Sequence, residues 1–231
     1  MGGRSSRIAL GLVAAVAAVG MWAGTANATG VSIVASPDCC SFEPGPYVQG
    51  LGETAVFDNA GASAPHNVES TQTGPDGQPL FAAEGILGGQ TTPVNGTQYL
   101  KAGTYPFFCT IHGPSMSGEL TIDGSQGKVV PRPSVKLSFV KQKLKQVRKA
   151  GVKVKVKATA ASKGVEVTAT KGKVKLGSKS GLTFKAGQTK TVTLRLTKAG
   201  RKALKKVKVA KIKLKAKVPF GKTASASRRV R

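Results

Sequence analysis

The sequence predicts an all-β protein of two sandwich units, and three observations lead there. Short runs of alternating apolar and polar residues recur along the chain, the period-two signature of half-buried strands. Turns rich in Gly, Pro and Lys separate those runs. Charge divides the chain: residues 29 to 127 hold nine Asp/Glu against Lys101 alone, a net −8, while residues 128 to 231 hold 33 Lys/Arg against Glu166 alone, a net +32. So sharp an asymmetry marks two units with different surfaces.

In chain order, residues 1–28 read as a secretory signal. Arg4 and Arg7 give a charged start, Ile8 to Trp22 an apolar run, and Ala26-Asn27-Ala28 a small-x-small cleavage pattern. An uncleaved anchor is the alternative, but the run is short for a spanning helix, which needs about 20 residues. No later stretch approaches that length, so no transmembrane helix is expected in the mature chain. The expected location is outside the cytoplasm: extracellular, attached to the cell envelope, or periplasmic. The segment before Cys39 is not a lipoprotein box, so lipid attachment is not expected.

Residues 29–124 form the first unit. Val31 to Ala35 is an opening strand. Glu53 to Asp58 is another, with Ala55 and Phe57 on one face and Val56 on the other. Asp58 to Gly61 is a turn. Thr71 to Gly89, rich in Gly, Pro and Gln, is expected to be irregular, and Thr91 to Leu100 to be a strand with Pro93 near its start. Asn95-Gly96-Thr97 matches a glycosylation sequon, a common three-residue coincidence. Strand-like runs Thr104 to Phe108 and Gly118 to Ile122 flank the most informative stretch, Gly103 to Leu120. Short strands with regular turns suggest a sandwich or barrel, and about 95 residues suffice for one such core.

That stretch carries Cys109, His112 and Met116 on one loop. A thiol, an imidazole and a weak thioether donor are ligation suited to copper. A fourth donor must come from elsewhere, and the chain's one other histidine is His66. Zinc fits less well, since it prefers tetrahedral N/S sets and rarely uses Met. Of the three cysteines, Cys39 and Cys40 remain. They read either as small semi-buried loop residues, or as a vicinal disulfide or a bond to another chain. Adjacent cysteines join only in an unusual ring.

The segments VFDNAGASAPHNV (Val56 to Val68) and GTYPFFCTIHGPSM (from Gly103) resemble the blue-copper cupredoxins of the plastocyanin and pseudoazurin group. The resemblance covers roughly residues 31 to 123. It implies a Greek-key β-sandwich holding a single type 1 copper. Its ligands would be His66, Cys109 and His112, with Met116 as the weak axial partner. The spacing between His112 and Met116 is one that varies among cupredoxins. The resemblance also implies that Asn67 and Thr110 tie the two ligand loops by a hydrogen bond, with an ordinary turn residue as the alternative reading of Asn67. One of Phe107 and Phe108 would fill the core and the other screen the metal. His112, on the turn, would be the port for electrons.

Residues 125–134 read as a linker, interrupted by Gly and two prolines. Residues 135–231 read as a Lys/Arg-rich, Ig-like antiparallel sandwich. The runs Val152 to Lys157, Val165 to Thr168, Val192 to Leu196 and Ile212 to Val218 all alternate, placing lysines outside. Turns are expected at Ser162-Lys163-Gly164, Lys171-Gly172 and Lys185 to Gln188, and a short helix capped by Thr197 over Thr197 to Lys206. Thr223 to Arg231 is expected to fray. A disordered polybasic tail is the alternative, and alternation with scarce proline opposes it.

A surface this basic attracts polyanions. Phe139, Phe184 and Phe220 are the unit's whole aromatic complement, too few for base stacking. Anionic cell-envelope polymers or lipid headgroups are the better partners, and nucleic acid is not expected. The lysines could instead serve solubility alone, or receive the acidic unit. The histidine count argues against enzymes: with both committed, none remains for further coppers or for a Ser-His-Asp set. The reading is an exported one-electron carrier of unidentified redox partner, tethered to the envelope by its basic unit. The alternative is a copper-binding, storage or surface-adhesion module without a dedicated redox partner.

Overall fold

A computed structural model describes residues 29–231. The signal segment, residues 1–28, lies outside the described residues. Within them the regular structure is mostly strand, and the chain forms two apolar cores, one in each half.

The first half holds β1 (Thr29–Val34), β2 (Tyr47–Leu51), β3 (Thr54–Asp58), β4 (His66–Ser70), β5 (Ala82–Ile86), β6 (Thr91–Pro93), β7 (Gly103–Cys109) and β8 (Gly113–Gly127). They form a three-stranded sheet, β1-β3-β6, and a five-stranded sheet, β2-β8-β7-β4-β5. Strand alternation decides what faces the core between them. Ala55 and Phe57 are buried on β3, His66, Val68 and Ser70 on β4, and Phe107 and Cys109 on β7. Phe107 packs edge-on against Phe42, with ring centroids 5.1 Å apart. Gly118 makes room for that ring, since a Cβ there would come within 2.6 Å of it.

Several expectations need correction. The stretch from Thr71 to Gly89 is not irregular throughout, because β5 lies within it. Its Ala-Ala-Glu-Gly-Ile sequence has little strand propensity. It is a strand because it pairs with β4, His66 opposite Ile86 and Val68 opposite Ala83. The strand expected over Thr91 to Leu100 stops at Pro93, since Gly96 turns the chain at φ 105° into a 3-10 turn at Thr97–Tyr99. Strand β8 runs on to Gly127, into the stretch read as linker, where Leu51 pairs with Gly127.

The second half holds β9 (Val135–Phe139), α1 (Leu144–Ala150), β10 (Val152–Ala158), β11 (Ser162–Lys171), β12 (Val174–Phe184), β13 (Thr189–Leu194), α2 (Lys198–Leu204), β14 (Ala210–Lys217) and β15 (Ala224–Val230). Sheets β13-β10-β9 and β12-β11-β14-β15 face each other across the second core. Thr197 caps α2 by accepting from the Gly200 N–H at 2.8 Å. Ser162-Lys163-Gly164 is no turn but the irregular start of β11. The terminal segment does not fray. Its Ala/Ser alternation supplies β15, which pairs with β14 from Ala210 to Ala216 and buries Val230.

Strict alternation buries Val152, Val154 and Val156 and exposes Lys153, Lys155 and Lys157. On β14 it exposes Lys211, Lys213, Lys215 and Lys217. Like charges directly opposite across strands are destabilising, and the register mostly avoids them. Lys153, Lys155 and Lys157 face Thr193, Thr191 and Thr189. Lys213 and Lys215 face Thr170 and Thr168 on one side and Ser227 and Ser225 on the other. Each sheet thus presents rows of cations spaced by hydroxyls.

The halves meet at a small set of bonds. The nearly buried Asp76 accepts the Phe220 N–H at 2.8 Å, and the Thr223 hydroxyl donates to the Pro75 carbonyl at 3.2 Å. Within the basic half, Arg132 donates to the Phe220 carbonyl at 2.8 Å. The Arg132 guanidinium also lies 5.9 Å from the Tyr99 ring centroid. No helix among the described residues is long and apolar enough to cross a membrane.

The register generates a prediction. Thr191→Lys sets a cation opposite Lys155 and should cost about 0.2–1 kcal/mol at low salt. Urea unfolding at rising salt should recover most of that loss, because exposed charges are screened. A loss unaffected by salt would mean the spacing of the lysines is not electrostatic.

Candidate metal centre

The site begins with strand pairing. On the five-stranded sheet Ser70 of β4 lies opposite Phe107 of β7, and both point inward. Stepping back along β4 reaches Val68 and then His66; stepping forward along β7 reaches Cys109. Antiparallel pairing thereby delivers an inward imidazole and an inward thiol to the same end of the sheet. The chain then turns through Thr110, Ile111 and His112 and returns as β8. Gly113 opens that strand at φ 76°, a backbone conformation that suits glycine.

The donors converge. One sulfur and two nitrogens, from Cys109, His66 and His112, all lie within 4.8 Å of one another. The Cys109 Sγ is 3.5 Å from His112 Nδ1 and 4.0 Å from His66 Nδ1. The two Nδ1 atoms are 3.1 Å apart, within hydrogen-bond distance of each other. His66, Cys109 and Met116 are wholly buried, while His112 is half-exposed. Met116 belongs to the same apolar cluster as Cys109 and points inward from β8.

Hydrogen bonds fix the two ligand segments to each other. Asn67 donates from Nδ2 to the Thr110 hydroxyl at 2.8 Å and accepts the Thr110 N–H on Oδ1, also at 2.8 Å. Ser115 donates to the His112 carbonyl at 3.2 Å across the turn. A further residue, Asn59, braces the approach to His66. Its fully buried amide donates to the carbonyls of Ala64 and Ile86, both at 3.0 Å. The sequence marks Asn59 only as part of a turn; a polar side chain held inside by two distant carbonyls becomes evident only with β5 in place.

Electrostatics favour the ligating form of His66. Burial, and next the neighbouring His112, lower its pKa below the ordinary 6.5. The imidazole is therefore neutral at neutral pH, as a metal ligand must be. His66 Nε2 is buried with no hydrogen-bond partner, so Nδ1, turned toward Cys109, is the ring's working nitrogen. A thiol and two imidazoles at this separation are a donor set that fits copper.

Cys39 and Cys40 are joined to each other by a disulfide. The pair stands beside the centre: its two Sγ atoms and a ring nitrogen of His112 also lie within 4.8 Å of one another.

No protein-family model matches the chain. Among solved structures, a purple cupredoxin from Nitrosopumilus maritimus is 21% identical, covering 40% of this chain and 99% of its own at a TM-score of 0.32. A copper-containing nitrite reductase from Thermus scotoductus is 22% identical, with 41% of this chain and 22% of its own covered at the same TM-score of 0.32. Scores this low add nothing to the assignment. The curated relatives do. The chloroplastic plastocyanin of rice is 36% identical over 115 residues, 47% of this chain and 72% of its own. That of barley is 35% identical over 136 residues, 52% of this chain and 85% of its own. On that identity and coverage, the chain belongs to the plastocyanin family of cupredoxins.

Proposed function

We propose that the protein is an exported one-electron carrier with a single type 1 copper, held at the cell envelope by its basic half. The observation that carries the redox reading is the convergence of His66 with Cys109 and His112, 43 and 46 residues away along the chain. Bound there, copper supplies one-electron exchange between Cu(I) and Cu(II). The chain's residues set the terms. Cys109 would bind as thiolate, His66 and His112 through Nδ1, and Met116 would offer a weak thioether donor. Asn67 and Thr110 hold the ligand segments at fixed separation, so little rearrangement would accompany a change in charge. Burial of His66, Cys109 and Met116 excludes water. His112, the ligand that reaches the surface, would be the point of electron entry and exit.

The domain reading follows the two cores. Residues 29–124 would be the copper unit, with 125–134 joining it to the basic unit 135–231. The rows of lysine on β10 and β14 support an electrostatic tether, because each outer face is cationic and solvent-facing. Their targets would be anionic polymers or lipid headgroups, engaged within about 8 Å, the Debye length at physiological salt. An electron carrier needs no hydrolytic or transfer chemistry, and we assign no catalytic residue.

The absorption spectrum tests the centre. The protein with Cu(II) should turn blue through an intense thiolate-to-copper band, and Cys109→Ser should lose that band while keeping the fold. A colourless wild-type complex would defeat the type 1 reading. Asn67→Ala removes both bonds to Thr110 and should weaken copper binding by about 10–100-fold, the usual effect of losing a partner that orients a ligand. Competition with a chelator of known affinity reads this directly, and unchanged affinity would reduce Asn67 to a turn residue. For the tether, the full chain should bind anionic vesicles at low salt and elute as salt rises. A chain ending at residue 127 should not bind; equal retention of the two would remove the basic half from that role.

A further inference from the structure

A second set of soft donors lies outside the buried trio. The segment between β1 and β2 is closed at its base by the Ser36 N–H on the Ser41 carbonyl at 3.0 Å and the Glu43 N–H on the Val34 carbonyl at 2.9 Å. At its tip Cys39 and Cys40 take φ of 64° and 69°, a region that side chains bearing a Cβ rarely adopt. Cys39 is half-buried and Cys40 is exposed. Both sulfurs, with a ring nitrogen of His112, lie within 4.8 Å of one another.

A buried metal centre needs an entry path. His66, Cys109 and Met116 have no exposed surface, and His112 alone of the four reaches solvent. An ion bound for the centre must pass His112, and the cysteine pair stands there. Paired thiolates with an imidazole favour Cu(I), the soft form of copper. We propose that Cys39 and Cys40, as the dithiol, form with His112 a receiving site for Cu(I) that feeds the buried centre, and that the disulfide closes this site. The inference rests on the copper reading of the centre given above.

The switch between the two forms has a definite balance. Reducing the disulfide takes two electrons, whereas a single copper gives one, so the centre cannot open the site by itself. Two external thiols can. Their sulfurs become joined as a disulfide, the Cys39–Cys40 bond breaks, and their two protons pass to the cysteine sulfurs. Cu(I) then displaces the thiol protons to water and remains Cu(I) throughout.

The test uses full-length chains. Cys109→Ser lacks the buried thiolate; reduced with a phosphine and titrated with Cu(I) against a chromophoric chelator, it should bind one Cu(I) per chain. Adding Cys39→Ser and Cys40→Ser should weaken that binding by more than about 100-fold, beyond what loss of a mere orienting partner costs. Reoxidising the pair in Cys109→Ser should have the same effect. Equal Cu(I) affinity in the two reduced variants overturns the proposal. In the wild-type chain, the reduced form should load from Cu(I) faster than the disulfide form, and equal rates would also count against the site. The wild-type Cu(II) spectrum reports on the buried centre separately. A blue protein with equal Cu(I) affinities keeps the centre and removes the receiving site. A colourless one with the expected difference removes the type 1 centre and overturns the delivery role, leaving only a Cu(I) site at the cysteine pair.

Discussion

The structure depends on one pairing, that of β4 with β7. Ser70 opposite Phe107 and Glu69 opposite Phe108 set the register, and period-two alternation then decides which side chains enter the core. A slip by one residue would turn His66 outward and bring Asn67 in. The Asn67–Thr110 bonds lock the same register from the solvent side. A backbone ladder and a side-chain bridge thus specify one arrangement from opposite faces of the sheet.

Much of this was legible from residue order. Cys109, His112 and Met116 lie within eight residues, on the end of β7, the turn and the start of β8, and the chain's one other histidine, His66, was the candidate that the cupredoxin resemblance placed with them. The alternating runs of the basic half likewise declared their buried and exposed faces, as on β10 and β14. What escaped were elements made by their surroundings. Strand β5 exists because β4 offers a free edge, and its Ala-rich sequence does not announce it. Strand β15 is small and polar, and becomes ordered by completing the ladder of β14. Asn59 looked like a turn residue because its two acceptors, at Ala64 and Ile86, meet only once β5 is placed. The nearness of Cys39 and Cys40 to His112 was equally invisible, since more than seventy residues separate them in the chain.

The donor geometry bears on stability as well as chemistry. Two imidazole nitrogens 3.1 Å apart beside a buried thiol form a polar cluster in an apolar end of the core. Burial of such groups is tolerated when they are paired. Here His66 Nε2 has no partner, and the Nδ1 atoms can pair only if one of the two carries the proton and the other does not. A metal bound by the folded chain alone would stabilise it by mass action, and would replace this contact by direct ligation.

The two halves solve opposite electrostatic problems. In the acidic half, no carboxylate among the described residues joins the Cys109, His66 and His112 group. The basic half must carry a net +32 over residues 128 to 231, and it limits repulsion between strands by facing most ladder lysines with Thr and Ser, with Lys136–Lys157 and Lys211–Arg229 as opposed cation pairs. Their junction uses directed bonds at Asp76, Phe220 and Thr223 in place of broad charge neutralisation. Had the acidic half covered the lysine rows, the cationic faces would be spent inside the molecule. Because β10 and β14 keep their lysines exposed, those cationic faces stay clear of the acidic half. The junction bonds keep the halves in contact while His112 stays partly exposed.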